Sequence, residues 1–123
     1  MKKILIFSND STYTYNFRKE IIKELRVRNF KIILATNYSG HLEELKNMGL
    51  VLEESKINRR GKNPFADTKL YRYYKKLIKK HNPDILLTYN IKPNIYGGIA
   101  AKKLKVPYIA NITGLGTAVE NGG

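Results

Sequence analysis

At 123 residues and 42% hydrophobic content, the chain is long enough for one domain with a real core and too apolar to remain disordered. It has no cysteine and only two histidines, His41 and His81, whose separation matches no familiar metal motif, so disulfides, thiolate chemistry and a protein-built metal site are set aside. Twenty-three Lys and Arg stand against ten Asp and Glu, and a net charge of +13 attracts nucleic acid, anionic lipid or phosphorylated ligands without choosing among them.

The N-terminal MKKILIFSND carries an apolar run too short for a signal peptide or a membrane span, so the expected location is cytoplasmic. Residues 3–7 form a continuous apolar run, the pattern of a strand covered on both faces. A helix follows over 15–29, with Phe17, Ile21, Ile22 and Leu25 at inward spacing. Residues 30–35 form a second strand. A short helix over 39–48 places Leu42, Leu45 and Met48 on one face and stops at Gly49. A third, weaker strand begins at 50–52, and a basic polar loop covers 57–64.

The next helix opens at Ala66 or Asp67 and runs to about His81, with Leu70, Tyr73, Tyr74, Leu77 and Ile78 inward. Asn82-Pro83-Asp84 breaks the chain before a fourth strand at 85–89. Pro93 suits the first turn of a helix, where its missing N–H is harmless. Gly97 and Gly98 inside that helix require compensation, through close packing or approach of a ligand. Residues 106–112 form the fifth strand. Strands alternating with helices predict a three-layer Rossmann-like α/β fold, a parallel sheet of order 3-2-1-4-5 in a single domain.

The strand-to-helix loops at 8–14, 36–40, 56–65, 89–94 and 113–120 gather at the carboxyl edge of such a sheet, where ligands bind in open α/β folds. The first loop lacks G-x-G-x-x-G, and no G-x-x-x-x-G-K-[ST] loop exists, which argues against a dinucleotide or P-loop site. Asn9, Asp10 or Ser11 can simply cap the following helix. The segment KINRRGKNP gathers Lys56, Arg59, Arg60 and Lys62, either as a diphosphate or lipid-headgroup contact or as a solvated basic loop. In TKLYRYYKKLIKKH, Lys75, Lys76, Lys79 and Lys80 beside tyrosines suit an anionic membrane surface, the other reading being a wet helix face. The glycine loop from Thr113 to Gly116 offers N–H groups to an anion.

NIKPN at 90–94, the Tyr96-Gly97-Gly98 step and NITGLGTA at 111–118 together resemble the N-terminal domain of family-4-type glycosyltransferases with the GT-B fold. RRGKNPFAD at 59–67 and NPDILLTY at 82–89 match the same pattern in the same order, so the resemblance covers essentially the whole chain. The nearest group is bacterial enzymes that build capsule, O-antigen or other surface glycans. The resemblance implies one half of a two-domain, retaining, metal-independent enzyme, peripheral on the inner face of the plasma membrane. This half holds the acceptor, often a polyprenyl-diphosphate-linked sugar. The nucleotide-sugar donor binds mainly a C-terminal domain that this sequence does not contain, and the chain is expected to be inactive alone.

The acceptor-side residues on this reading are Asn9, Asp10, Arg59, Arg60, Asn63, Asn90, Lys92, Asn94, Thr113, Gly114 and Gly116, with Lys92 the first choice for a phosphate contact. Many relatives carry a histidine where this chain has Thr113, and His41 and His81 lie elsewhere, so no catalytic residue is named. Two other readings remain. One is a free-standing acceptor- or membrane-binding subunit that recruits a separate donor-binding protein. The other, ranked last because helices should cover the sheet, is a nucleic-acid-binding module.

Overall fold

The computed structural model describes residues 1–58 and 63–112. Five strands, β1 (Lys3–Asp10), β2 (Lys31–Asn37), β3 (Val51–Glu54), β4 (Ile85–Tyr89) and β5 (Tyr108–Asn111), form one sheet of order β3-β2-β1-β4-β5. Every pairing is parallel, with Ile4 opposite Ile32 on one side of β1 and opposite Ile85 on the other. The expected topology is therefore the one observed. Four α-helices connect the strands: α1 (Ser11–Val27), α2 (Leu42–Asn47), α3 (Pro64–His81) and α4 (Gly98–Leu104). A π-helical turn over Pro93–Gly97 leads directly into α4.

Alternate residues of the central strands feed two cores, as strand geometry requires. On one face Ile4, Ile6, Ile32 and Leu34 meet Ile22 of α1 and Leu45 of α2. On the other, Leu5, Phe7, Ile33 and Leu86 meet Leu70, Tyr74, Leu77 and Ile78 of α3 and Ala100 and Ala101 of α4. Phe7 stacks on Tyr74 with ring centroids 3.8 Å apart and planes 9° off parallel. The Tyr74 hydroxyl is buried with no hydrogen-bond partner among the described residues.

Gly97 and Gly98 are explained by packing. A Cβ on Gly97 would lie 2.8 Å from the Phe7 ring and 3.0 Å from the Thr88 methyl, and one on Gly98 would lie 3.1 Å from the Tyr108 ring. The π turn lies directly on the sheet, and glycine is what lets it approach.

Three expectations need correction. Helix α1 starts at Ser11, because Asp10 in extended conformation accepts the Tyr13 N–H at 2.7 Å. The first loop is correspondingly shorter than 8–14. Phe17 and Ile21 do not face the core (63% and 45% exposed). The buried stripe of α1 runs through Ser11, Thr14 and Ile22, with hydroxyl side chains filling positions that a hydrophobic pattern overlooks. Helix α3 also starts early, at Pro64, with the Asn63 side chain accepting the Phe65 and Ala66 N–H groups.

Candidate functional site at the carboxyl edge of the sheet

Strand ends and helix starts converge on one edge, and side chains there tie the loops together. At β1 the Ser8 hydroxyl lies 2.7 Å from Thr14 Oγ1 and donates to Thr36 Oγ1 at 2.9 Å, and all three side chains are fully buried. The Ser11 hydroxyl donates to the Gly40 carbonyl at 2.7 Å, and the Gly40 N–H donates to Thr12 Oγ1 at 2.7 Å. The Thr12 N–H donates to Ser39 Oγ at 3.0 Å. With the Tyr13 N–H held by Asp10, the Thr12 and Tyr13 donors of α1 are both satisfied within the protein. This end of α1 is built as a cap, not as a phosphate cradle.

The β4 loop is equally ordered. Asn90 sits at φ 78°, a left-handed conformation that asparagine tolerates better than most residues. Its Oδ1 accepts the Asn9 N–H at 3.0 Å, joining the loops after β1 and β4. Asn94 Oδ1 accepts the buried Thr88 hydroxyl at 2.7 Å, and its Nδ2 donates to the Asn111 carbonyl at 3.0 Å. Asn9, Asn90 and Asn94 thus tie β1, β4 and β5 into one polar ledge.

Lys92 leads away from that ledge toward α3. Its Nζ donates to Asp67 Oδ1 at 2.9 Å, and the Tyr96 hydroxyl donates to Asp67 Oδ2 at 3.0 Å. The Lys92 hydrogen bond holds the Asp67 carboxyl below its usual range, helped by the Tyr96 hydroxyl. The hydrogen bond to Asp67 in turn pushes the Tyr96 phenol up. Asp67 and Tyr96 also line a cleft of about 450 Å³ with Pro64, Thr68, Tyr71 and Ile99.

A second hollow of about 430 Å³ lies by β3, lined by Asn37, Tyr38, Lys56 and Asn58 among others. Asn37 braces it, accepting the Ile57 N–H at 2.8 Å and donating to the Ile57 carbonyl at 3.0 Å.

The structure therefore brings Asn9, Asp10, Asn90, Lys92 and Asn94 to one edge, where Asn63 also stands as the cap of α3. Arg59, Arg60, Thr113, Gly114 and Gly116 lie outside the described residues. Of the basic residues on α3, Lys76 and Lys79 are exposed. Lys75 packs 4.9 Å over the Tyr71 ring, and Lys80 pairs with Glu53 at 2.9 Å. His81 meets the same Glu53 at the opposite end of α3. His41 does stand at the carboxyl edge, at the start of α2, where it stacks on Tyr15 and bonds Glu44. Among the described residues no group of three or more His, Cys, Asp or Glu is placed to hold a metal ion.

Sequence comparison decides the family. The profile described as "Glycosyl transferase 4-like" matches residues 3–122. The chain belongs to this family. Among curated proteins, this glycosyl transferase 4-like chain is 31% identical over 116 residues to an enzyme of Campylobacter jejuni subsp. jejuni serotype O:2. That enzyme is named N,N'-diacetylbacillosaminyl-diphospho-undecaprenol alpha-1,3-N-acetylgalactosaminyltransferase. The match takes in 94% of the chain and 31% of the relative, so the chain spans about a third of that enzyme's length.

Solved structures with the same fold include MurG of Acinetobacter baumannii, with a TM-score of 0.69 at 18% identity over 91% of this chain and 34% of that one. A glycosyltransferase from Rickettsia africae gives a TM-score of 0.70 at 20% identity over 89% and 29%. At such identities the likeness shows a shared fold, the Rossmann-like unit of GT-B glycosyltransferases.

Proposed function

We propose that this chain is the acceptor-binding half of a retaining glycosyltransferase that moves a sugar from a nucleotide-sugar to a polyprenyl-diphosphate-linked glycan. The observation that carries the reading is the family match across residues 3–122, joined to a polar ledge on the edge where α/β folds bind ligands. The curated relative, named for a lipid-diphosphate-linked substrate, supports the acceptor class.

The chemistry fits a positioning role. In the described part of the ledge the Thr12 and Tyr13 N–H groups of α1 are already used, and Lys92, with Asp67 beside it, is the cation nearest the Asn90 and Asn94 ledge along the chain. Asn9, Asp10, Asn63, Asn90, Lys92 and Asn94 form a wall that orients an acceptor hydroxyl, a contribution of proximity and not of proton transfer. Arg59, Arg60, Thr113, Gly114 and Gly116 extend the wall in this reading. The donor nucleotide is then bound by a further domain or subunit.

Docking is peripheral. No described helix is long and apolar enough to cross a membrane. The exposed Lys76 and Lys79 on α3, with Lys75, present positive charge suited to an anionic bilayer on its inner face. Lys80 joins them only in part, being shared with Glu53.

The test is transfer of radiolabel from UDP- and GDP-sugars to a short polyprenyl-diphosphate acceptor, with the 123-residue chain alone and with a protein that adds a donor-binding domain. Transfer by the two-domain protein alone is the expected result. Transfer by the isolated chain would place a donor site within it and overturn the division of labour.

A further inference from the structure

We propose that the cleft between α3 and the start of α4 is a saccharide subsite, in which the Asp67 carboxylate accepts ligand hydroxyl or acetamido protons beside Tyr71 and Tyr96. The proposal rests on the acceptor-side reading above and names where that acceptor's sugar sits. None of Asp67, Tyr71, Tyr96 and Ile99 belongs to the acceptor wall already described.

The dimensions suit a sugar. About 450 Å³ falls in the range of roughly 300–1,000 Å³ that small-ligand pockets occupy, and the lining has the usual balance of apolar walls with a few placed polar groups. Pro64, Tyr71 and Ile99 supply the apolar part. Lys75, 4.9 Å over the Tyr71 ring, covers one side of it and steadies it. Asp67 and the Thr68 hydroxyl supply the polar part. Thr68 donates to the Pro64 carbonyl at 2.7 Å, which leaves its oxygen as an acceptor.

Asp67 still has acceptor capacity. An ionised carboxylate offers about four acceptor positions, and Lys92 and Tyr96 take one on each oxygen. Both donors also favour the charged form, so the carboxylate stays an acceptor at neutral pH.

The same pair rules out other occupants. A hydrocarbon chain would strip water from Asp67 and Lys92 and return no hydrogen bond, which low-dielectric ion pairs tolerate poorly. A phosphate would meet a lysine whose charge is already answered by Asp67. A neutral ring with hydroxyls on its rim and C–H groups on its faces satisfies both halves of the lining.

Position agrees with the reading. Asp67 lies in the first turn of α3 and Tyr96 in the π turn after β4, so the cleft opens near the ledge of Asn90 and Asn94. Lys92 stands between the two, a single residue linking ledge and cleft.

The experiment is NMR titration of the isotope-labelled 123-residue chain with N-acetylglucosamine, methyl glucoside and farnesol, at up to about 50 mM for the sugars, where millimolar affinity is measurable. The expected result is saturable shifts at Asp67, Tyr71, Tyr96 and Ile99 with a sugar. Asp67→Ala should weaken them at least about tenfold, the scale of a hydrogen bond to a charged group. Because Asp67→Ala also removes a partner of Lys92, Ile99→Trp serves as the second variant. It fills the cleft, leaves the ion pair intact and should abolish the shifts.

No saturable shift with either sugar, shifts unchanged in Ile99→Trp, or a response to farnesol alone would each overturn the subsite. A parallel measurement separates this from the broader reading: binding of the chain to vesicles carrying an undecaprenyl-diphosphate-linked sugar. Binding there with no sugar response in the cleft sinks the subsite and leaves the acceptor reading standing. No binding in either experiment sinks both.

Discussion

The two faces of the sheet are finished in different ways. Under α3 and α4 the fit is tight: Phe7 stacks on Tyr74 at 3.8 Å, and the π turn comes so close that Gly97 has no room for a Cβ. Under α1 and α2 the helices cover β1 to β3, but an apolar groove of about 490 Å³ stays open beside β4 and β5. Ile21, Leu25, Ile85, Leu87 and Ile109 line it. One face is specified by shape, the other by composition. The difference teaches that a shared hydrophobic pattern does not imply a shared tolerance to substitution.

That contrast breaks most clearly with two phenylalanines. Phe7→Ala should lower stability by about 3–5 kcal/mol, as for other buried aromatics. Phe17→Ala, on an exposed side chain that touches Tyr13, should change it by less than about 0.5 kcal/mol. Urea unfolding followed by circular dichroism reads both, and equal losses would show that α1 packs differently. Gly97→Ala comes next. Its methyl must displace the Phe7 ring, and overpacking of this kind costs about 1–3 kcal/mol.

A gain is expected within the same tight face. Tyr74→Phe removes a buried hydroxyl that lacks a partner among the described residues, and should stabilise by roughly 1 kcal/mol. A loss instead would mean that the hydroxyl is satisfied in solution.

The smallest effect concerns pH. Burial raises the Glu53 pKa, but hydrogen bonds from Lys80 and His81 outweigh it, so the group lies below its ordinary value. Asp67 is depressed by Lys92 and Tyr96. A depressed carboxylate contributes stability above its unfolded pKa of about 4, and that contribution is lost as pH falls through the lower folded value. Glu53→Gln and Asp67→Asn should therefore each flatten the acid limb of a stability–pH curve between about pH 5 and 2 while changing its slope little above pH 6. An unaltered acid limb would show that solvent screening cancels both pairs.

Much of this fold is legible in the sequence, because buried parallel strands are written as unbroken apolar runs. Residues 85–89 are read to the residue, and the strand order follows from alternation with helices. Helix starts are less legible. Asp10 and Asn63 both have the side chain of a cap, yet the capping bonds that move α1 to Ser11 and α3 to Pro64 depend on backbone angles at those residues. Phe17 and Ile21 fit an inward stripe by spacing alone, until Ser11 and Thr14 fill the place beside the sheet.

In the candidate site, the asparagines at 9, 90 and 94 stand out because no core requires them. Asp67 does not stand out. In sequence it is an acidic residue in the first turn of a helix, a position that the helix dipole explains without further function. Only the chain's return, 25 residues later at Lys92 and 29 later at Tyr96, turns it into the centre of a cluster.

The ledge built from Asn9, Asn90 and Asn94 has a consequence for turnover. Asn90 Oδ1 and both ends of the Asn94 amide are already engaged within the protein, so a ligand gains those contacts only by displacing internal ones. Such exchange keeps net affinity modest and dissociation fast. A surface of that kind sorts by geometry more than by grip. On the reading proposed above, a glycan lengthened by one sugar could leave as readily as its precursor arrived.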